Sequence, residues 1–415
     1  MKADIITIGD ELLIGQVVDT NSAWIGQELS KAGISVHRIT SVSDKEDEIL
    51  AVLKETAERS PIVLISGGLG PTKDDITKAA LCRFFNTKLV FNSEVYSDVE
   101  TFLKGRVHSI NELNRTQAMV PESCTVIRNM VGTAPIMWFS TPKGVLVSMP
   151  GVPSEMKHAM STEVLPRLIK GFPTEALIHR TIHVFDIPES ILAEHISEWE
   201  ESLPDCIRLA YLPSPGKIRL RLSAKGTERK QLEEAVDKAI DQLYPLIGDN
   251  IFGFDDQKPE EELIRLLKAK SATIACAESC SGGYLSHLFT SIPGASEVFN
   301  GSVVAYSNSV KAGVLGVDTG LIEQHGAVSR EVAEAMAQGA IRITGSDYAI
   351  STSGIAGPTG GSDEKPVGTV WIAWASKDKV LSRRFLFGKG RERVIMRTAD
   401  AGVIVMKQLL EKGEL

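Results

Sequence analysis

Short, nearly uninterrupted apolar runs that stop at glycine constrain this chain more than any other feature. Residues 4–8 stop at Gly9, 61–66 at Gly67-Gly68, 145–149 at Pro150-Gly151, and 348–353 at Gly354. Runs of this length are too short for buried helices and read as strands. Between them lie stretches with helical spacing: Trp24, Ile25 and Leu29 within 22–32, and Ile49, Leu50, Val52 and Leu53 within 47–58. Strand, glycine turn and helix in repetition predict α/β architecture, a parallel sheet with helices on both faces. Such sheets bind ligands beyond the carboxyl ends of their strands, where the conspicuous loops of this chain fall.

At 415 residues the chain is long for one core. Three segments are predicted. Residues 1–170 carry the α/β pattern just described. Residues 171–255 change character: an alternating run at 179–185, a helical stretch at 188–201, strand candidates at 207–212 and 217–223 around Pro213-Ser214-Pro215-Gly216, and a helix at 228–243. This reads as a small α+β module. It holds 9 Lys and Arg against 15 Asp and Glu and has no GxxG loop, so KH-type RNA binding is not expected even with a similar topology. Residues 256–415 return to α/β. Helices are expected at 259–270, 281–290, 329–344 (with Ser329 as N-cap) and 391–410. Strands are expected at 273–277, 301–306 and 348–353, with a strand pair at 367–375 and 381–387.

A net charge of −8 argues against a chain built to coat nucleic acid or an anionic membrane. Five cysteines without regular spacing are no disulfide framework and fit a reducing cytosol. The first ten residues are interrupted by Asp4 and Asp10 and do not read as a signal peptide, and no run of about 18 apolar residues occurs. A cytoplasmic protein without membrane contact is expected.

Two loop clusters carry candidate chemistry. In the first segment, Gly9-Asp10-Glu11 follows a strand, Asp19-Thr20-Asn21 opens a helix, and Gly67-Gly68-Leu69-Gly70-Pro71-Thr72-Lys73-Asp74-Asp75 follows the third apolar run. Glycines let backbone N–H groups approach a phosphate, and a helix start adds its dipole. Adjacent acids need a positive partner, and a divalent metal with phosphate oxygens is the natural one. Helix capping by Asp74 or Asp75 is the plainer alternative.

In the last segment, Ala277-Glu278-Ser279-Cys280-Ser281-Gly282-Gly283 joins a strand to a helix. A hydroxyl at such a turn can present a nucleophile to backbone N–H donors, here near Gly282 and Gly283. The motif is not the hydrolase G-x-S-x-G. Lys311 follows Tyr306-Ser307-Asn308 after the next strand, and a desolvated lysine can act as base to a serine. Against this, Ser279 could be an N-cap and Lys311 a solvated charge. Cys280 and Cys276 are rival nucleophiles, though a strand thiol such as Cys276 is more often simply buried.

The residues 9–15, Asp19-Thr20-Asn21 and 66–75 resemble the molybdopterin-binding-type domain of the CinA family (competence/damage-inducible protein A). Asn114-Arg115-Thr116-Gln117-Ala118, Gly132-Thr133-Ala134-Pro135 and Met149-Pro150-Gly151-Val152-Pro153 extend the likeness. Residues 278–283, Tyr306-Ser307-Asn308 with Lys311, Ser353-Gly354-Ile355-Ala356-Gly357-Pro358, Gly360-Gly361-Ser362 and 365–370 resemble the CinA C-terminal domain.

The resemblance implies a molybdopterin-binding-like parallel-sheet sandwich, a KH-like middle domain and a C-terminal α/β amidase domain. For the front it implies metal-dependent hydrolysis of ADP-ribose to AMP and ribose 5-phosphate. Asp10, Asp74 and Asp75 would hold a divalent metal such as magnesium or cobalt, potassium would assist, and Asn21, Gly67, Gly68, Gly70, Thr72 and Gly151 would bind substrate. For the back it implies metal-free deamidation of nicotinamide mononucleotide to nicotinate mononucleotide and ammonia. Ser279 would be nucleophile and Lys311 base, with Tyr306 beside them, and Gly282, Gly283, Ser353, Gly354, Gly357 and Arg391 at the substrate. A homodimer is expected. The alternative from another class is a pterin- or nucleotide-binding protein, or an interaction protein of competence and damage response, with one or both domains non-catalytic.

Overall fold

The computed structural model describes residues 1–72, 75–104, 111–173, 175–214 and 216–415. It divides into two compact units, Met1–His179 with Ser223–Val236, and Arg180–Leu222 with Asp237–Leu415.

The first unit is built on β1 (Lys2–Ile8), β2 (Ser35–Val42), β3 (Ile62–Ser66), β4 (Leu89–Phe91), β5 (Met119–Pro121), β6 (Thr125–Ile127), β7 (Ile136–Thr141) and β8 (Gly144–Met149). Six of them form one sheet in the order β2-β1-β3-β8-β7-β6. The first four run parallel, as the sequence predicts, and β7 and β6 add an antiparallel edge. That edge arises from the turn between Thr141 and Gly144, where Gly144 N–H donates to Thr141 Oγ1 at 3.0 Å. Strand alternation divides the apolar residues between two cores. Ile5, Leu64 and Val147 face the helices Thr20–Lys31 and Pro153–Ala159, while Ile6, Val63 and Leu146 face Glu46–Arg59 and Thr77–Phe84.

A four-stranded sheet follows, from β9 (Ala176–Phe185), β10 (Ile207–Ser214), β11 (Lys217–Gly226) and β12 (Ile251–Phe254), ordered β10-β11-β9-β12. The helical stretch expected at 188–201 is interrupted at Ile196, between Glu189–His195 and Ser197–Glu201.

The last sheet comprises β13 (Ile274–Glu278), β14 (Phe299–Val304), β15 (Tyr348–Gly354), β16 (Thr369–Ser376) and β17 (Val380–Leu386), in the order β14-β13-β15-β16-β17. β13 pairs in parallel with both β14 and β15, and β16 and β17 continue antiparallel. One face of this sheet is alanine-rich: Ala275, Ala277, Ala349, Ala373 and Ala375 meet the helix Arg330–Thr344 through Ala333, Ala337 and Ala340. The small residues let that helix approach closely. The other face carries Ile274, Cys276, Ile350, Ile372 and Trp374 against the helices Pro259–Ala269, Tyr284–Thr290 and Arg391–Lys412. The same apolar cluster takes in Phe185 and Phe252. Trp374 is anchored by its Nε1–H, which donates to the Gly402 carbonyl at 2.8 Å. Ser329 caps the helix Arg330–Thr344 by accepting from Val332 N–H, as expected. The helix expected from 281 begins at Tyr284, because a turn with Gly282 (φ +61°) and Gly283 (φ +99°) precedes it. The strand expected at 301–306 is displaced two residues toward the N-terminus. Among the described residues no helix is long and apolar enough to cross a membrane.

Candidate functional site

The carboxyl ends of β13, β14 and β15 lie side by side, with Glu278 in register with Val304 on one flank and Thr352 on the other. Ser279 is the first residue past β13. Lys311 sits on the helix Asn308–Gly313, which starts just after β14 and is capped by the Ser307 side chain. This topology brings two residues 32 positions apart together: Lys311 Nζ is 3.0 Å from Ser279 Oγ. The amine also donates to the Ala305 carbonyl (2.8 Å) and the Tyr306 carbonyl (3.4 Å). All three partners are neutral oxygens. Lys311 is only 1 % exposed, and burial holds its ammonium below the ordinary 10.5. It is therefore not a solvated surface charge. Ser279 is no helix cap either, since the following helix has Gly283 at its N-cap and no side chain there.

The rival thiols are poor nucleophiles. Burial pushes Cys280 up to about 12 and Cys276 well above its usual range.

Arg391 joins two other expected site residues. Its guanidinium donates to the Gly357 carbonyl at 2.9 Å and to the Tyr306 hydroxyl at 2.7 Å. Tyr306 is 60 % exposed, so its ring is open to a ligand. Ser353 is different: its hydroxyl donates to the Ala327 carbonyl at 2.5 Å and is buried. Gly354 lies against β16, where a Cβ would come within 2.8 Å of the Thr369 carbonyl.

The donor role expected near Gly282 and Gly283 needs correction. Gly282 N–H donates to the Ser279 carbonyl (3.2 Å) and Gly283 N–H to Glu278 Oε2 (2.9 Å). Both are committed within the turn. Among the described residues, the N–H groups of Cys280 and Ser281 are the ones in this turn that donate to no other residue. Sequence reasoning quoted Glu278 without giving it a task; the signal was an acid placed where a buried strand meets a helix start.

In the first unit, the ends of β1 and β3 border a cavity of about 110 Å³, whose lining includes Glu11, Asp19, Asn21, Gly67 and Gly151. Asn21 Nδ2 donates to Ser66 Oγ (2.9 Å) and the Gly151 carbonyl (2.7 Å), while its buried Oδ1 has no partner among the described residues. The glycines are required: a Cβ on Gly67 would lie 2.2 Å from the Ile8 carbonyl, and one on Gly68 2.1 Å from Thr77 Oγ1. Glu155, which the sequence reading did not single out, accepts from Asn129 Nδ2 at 2.7 Å, and burial raises its carboxyl.

Asp74 lies outside the described residues. Asp75 turns back on its own loop, accepting from Gly70 N–H (2.7 Å), Thr72 N–H (2.9 Å) and Thr72 Oγ1 (2.5 Å). It does not cap the next helix, whose N-cap is Ile76. Asp10 accepts from Asp44 N–H at 3.3 Å. Among the described residues no three His, Cys, Asp or Glu side chains converge in a way that could hold a metal ion. Of the expected ligand set, Asp74 is not among the described residues, and Asp75 is committed to its own loop.

Comparison with known proteins accords with this architecture. Residues 4–170 match the probable molybdopterin binding domain, 179–253 the damage-inducible protein CinA KH domain, and 256–410 the CinA C-terminal domain. A CinA-like protein of Cytophaga hutchinsonii is 47 % identical over 412 residues, covering 99 % of this chain and 98 % of that protein. One from Flavobacterium psychrophilum is 43 % identical over 414 residues, covering 99 % of each. A solved structure of a competence-damaged protein (CinA) superfamily member from Klebsiella pneumoniae is 31 % identical and covers 38 % of this chain and 99 % of that one, with a TM-score of 0.36. With near-complete alignment to such relatives and three family domains in order, the chain belongs to the CinA family.

Proposed function

We propose that residues 256–415 form a serine–lysine amidase acting on nicotinamide mononucleotide. The observation that carries the reading is the buried 3.0 Å contact between Lys311 Nζ and Ser279 Oγ. A lysine held below its ordinary range by burial reaches the neutral form more readily and can then accept the serine proton. Ser279 Oγ bonds to the carboxamide carbon as the C=O π pair moves to oxygen. The Cys280 and Ser281 N–H groups receive that oxyanion. The carbon–nitrogen bond then breaks, and Lys311 returns the proton so that ammonia leaves. Water, deprotonated by Lys311, attacks the acyl ester, releasing nicotinate mononucleotide and restoring Ser279. Arg391 and Tyr306 hold the remainder of the nucleotide. The test is ammonia release from nicotinamide mononucleotide by the purified full chain without added metal. Release that disappears in Ser279→Ala supports the reading; no release from wild type refutes it.

For the first unit the same family likeness supports hydrolysis of ADP-ribose to AMP and ribose 5-phosphate, assisted by a divalent cation and potassium. The glycine cradle and the unpartnered Asn21 Oδ1 favour a nucleotide ligand. A second reading, binding of a nucleotide or pterin without turnover, is favoured by Asp75 being committed to its own loop. AMP formation from ADP-ribose with and without magnesium or cobalt separates the two. The homodimer carried by the family likeness is checked by light scattering.

A further inference from the structure

Glu278 is fully buried. A carboxylate in that position is costly unless its lone pairs are filled, and here they are filled mainly by the turn that follows it. Oε2 accepts from Ser281 Oγ (2.7 Å), Gly283 N–H (2.9 Å) and Leu285 N–H (3.1 Å). Oε1 accepts from Ser286 N–H (2.8 Å), from the Ser286 hydroxyl and, at 3.5 Å, from the Ser302 hydroxyl of β14. Ser281 Oγ is also 2.6 Å from Thr352 Oγ1, which ties the turn to β15.

The amides from Ser279 to Ser286 can be accounted for one by one. Ser279 N–H goes to the Thr352 carbonyl, Gly282 to Ser279 and Tyr284 to Ser281. Gly283, Leu285 and Ser286 go to Glu278. Among the described residues, only Cys280 and Ser281 are left without an acceptor in another residue.

A helix start normally offers several N–H groups to any anion that arrives. Here the carboxylate of the preceding strand already occupies them. We infer that Glu278 is a positioning residue for the amidase reaction: by taking the amides of Gly283, Leu285 and Ser286, it fixes the Ser279 turn and leaves Cys280 and Ser281 as the donors for the oxyanion. The residue touches no substrate and acts through the backbone of the turn. The inference rests on the serine–lysine reading of the site, but not on the identity of the amide substrate.

The experiment uses the full chain and a fluorophosphonate probe, which forms a covalent bond to an activated serine through an oxyanion-like transition state and expels fluoride. Labelling of Ser279 is followed by intact mass across pH. Glu278→Gln keeps the shape but turns an NH2 toward groups that are themselves donors. It is expected to label at least tenfold more slowly than wild type, with the pH midpoint set by Lys311 unchanged. With nicotinamide mononucleotide, kcat should fall by the same factor while KM stays within twofold. Glu278→Asp, which restores the charge, should recover part of the rate. If Glu278→Gln does not fold, Ser286→Ala removes one donor to the same carboxylate and should slow labelling at least threefold. Labelling at the wild-type rate in whichever of these variants folds overturns the inference. A wild-type chain that labels at Ser279 but releases no ammonia from nicotinamide mononucleotide refutes that substrate and leaves the variant comparison to decide the role of Glu278. A wild-type chain that does not label at all refutes both.

Discussion

Replacing Lys311 by methionine separates catalysis from stability at one buried position. The thioether chain fills a similar volume but cannot accept a proton. Loss of a positioned general base costs about 10²–10⁴ in rate, roughly 3–5 kcal/mol of barrier. The stability effect is smaller because two terms oppose each other. The Ala305 carbonyl loses its 2.8 Å donor and Ser279 Oγ its 3.0 Å partner, and orphaning a buried acceptor costs about 1–3 kcal/mol. Against that, a desolvated amine is removed. The pH dependence supplies the sign. Lys311 is held below 10.5 in the folded state, so the unfolded chain binds more protons between the folded value and 10.5. Its contribution to stability is therefore greatest above 10.5 and is lost as pH falls through the folded value. Methionine abolishes that slope. The assays are ammonia release from nicotinamide mononucleotide and urea unfolding, each across pH 6.5–10 (a range of order set by the lysine values). Wild-type activity should climb with pH to a plateau below 10.5, and the variant should fall by at least a hundredfold. A Lys311→Met protein that keeps more than a tenth of the wild-type rate would refute the argument.

Cys280→Ala should retain wild-type ammonia release and wild-type Ser279 labelling within about threefold, a small fraction of the effect of losing a catalytic group; iodoacetamide should likewise leave activity intact, because the thiol is buried and pushed up to about 12. Burial lowers Lys78 to about 8, with the Gln117 carbonyl as its 2.9 Å partner. Stability of the first unit should rise between pH 8 and 10.5, by at most roughly 3 kcal/mol, and Lys78→Met should flatten that rise in urea titrations; a rise unchanged in the variant would assign it to other groups. Gly68→Ala puts a Cβ at 2.1 Å from Thr77 Oγ1 at a φ of +64°. It should destabilise the first unit by about 1–3 kcal/mol, seen as faster amide exchange in β3.

The parallel strands were legible because both of their faces are buried, so β1, β3, β8 and β15 read as apolar runs that stop at or just before glycine. The hairpin of β7 and β8 was not, because Pro142 and Lys143 in its turn lack an Asn-Gly type signal. The three-residue strands β4 and β5 are too short for any period to show. At the site, the residue types of Ser279 and Lys311 and their places after strands were visible, but their 3.0 Å contact depends on β14 pairing beside β13. What no pattern revealed is the direction of individual amides and carboxylates. Gly283 spends its N–H on Glu278, and Asp75 folds onto Gly70 and Thr72, and both outcomes are decided by local backbone angles.

Phe185 and Phe252 share an apolar cluster with Leu263, Ile274 and Trp374. The middle segment thus contributes two rings to the core of the last one. A protease nick at residue 255 followed by loss of the preceding segment would strip two aromatic rings from a continuous core and expose the remainder to water. A C-terminal segment standing without its predecessor would have to place polar or smaller side chains where those rings pack, because the patch they cover would otherwise face water.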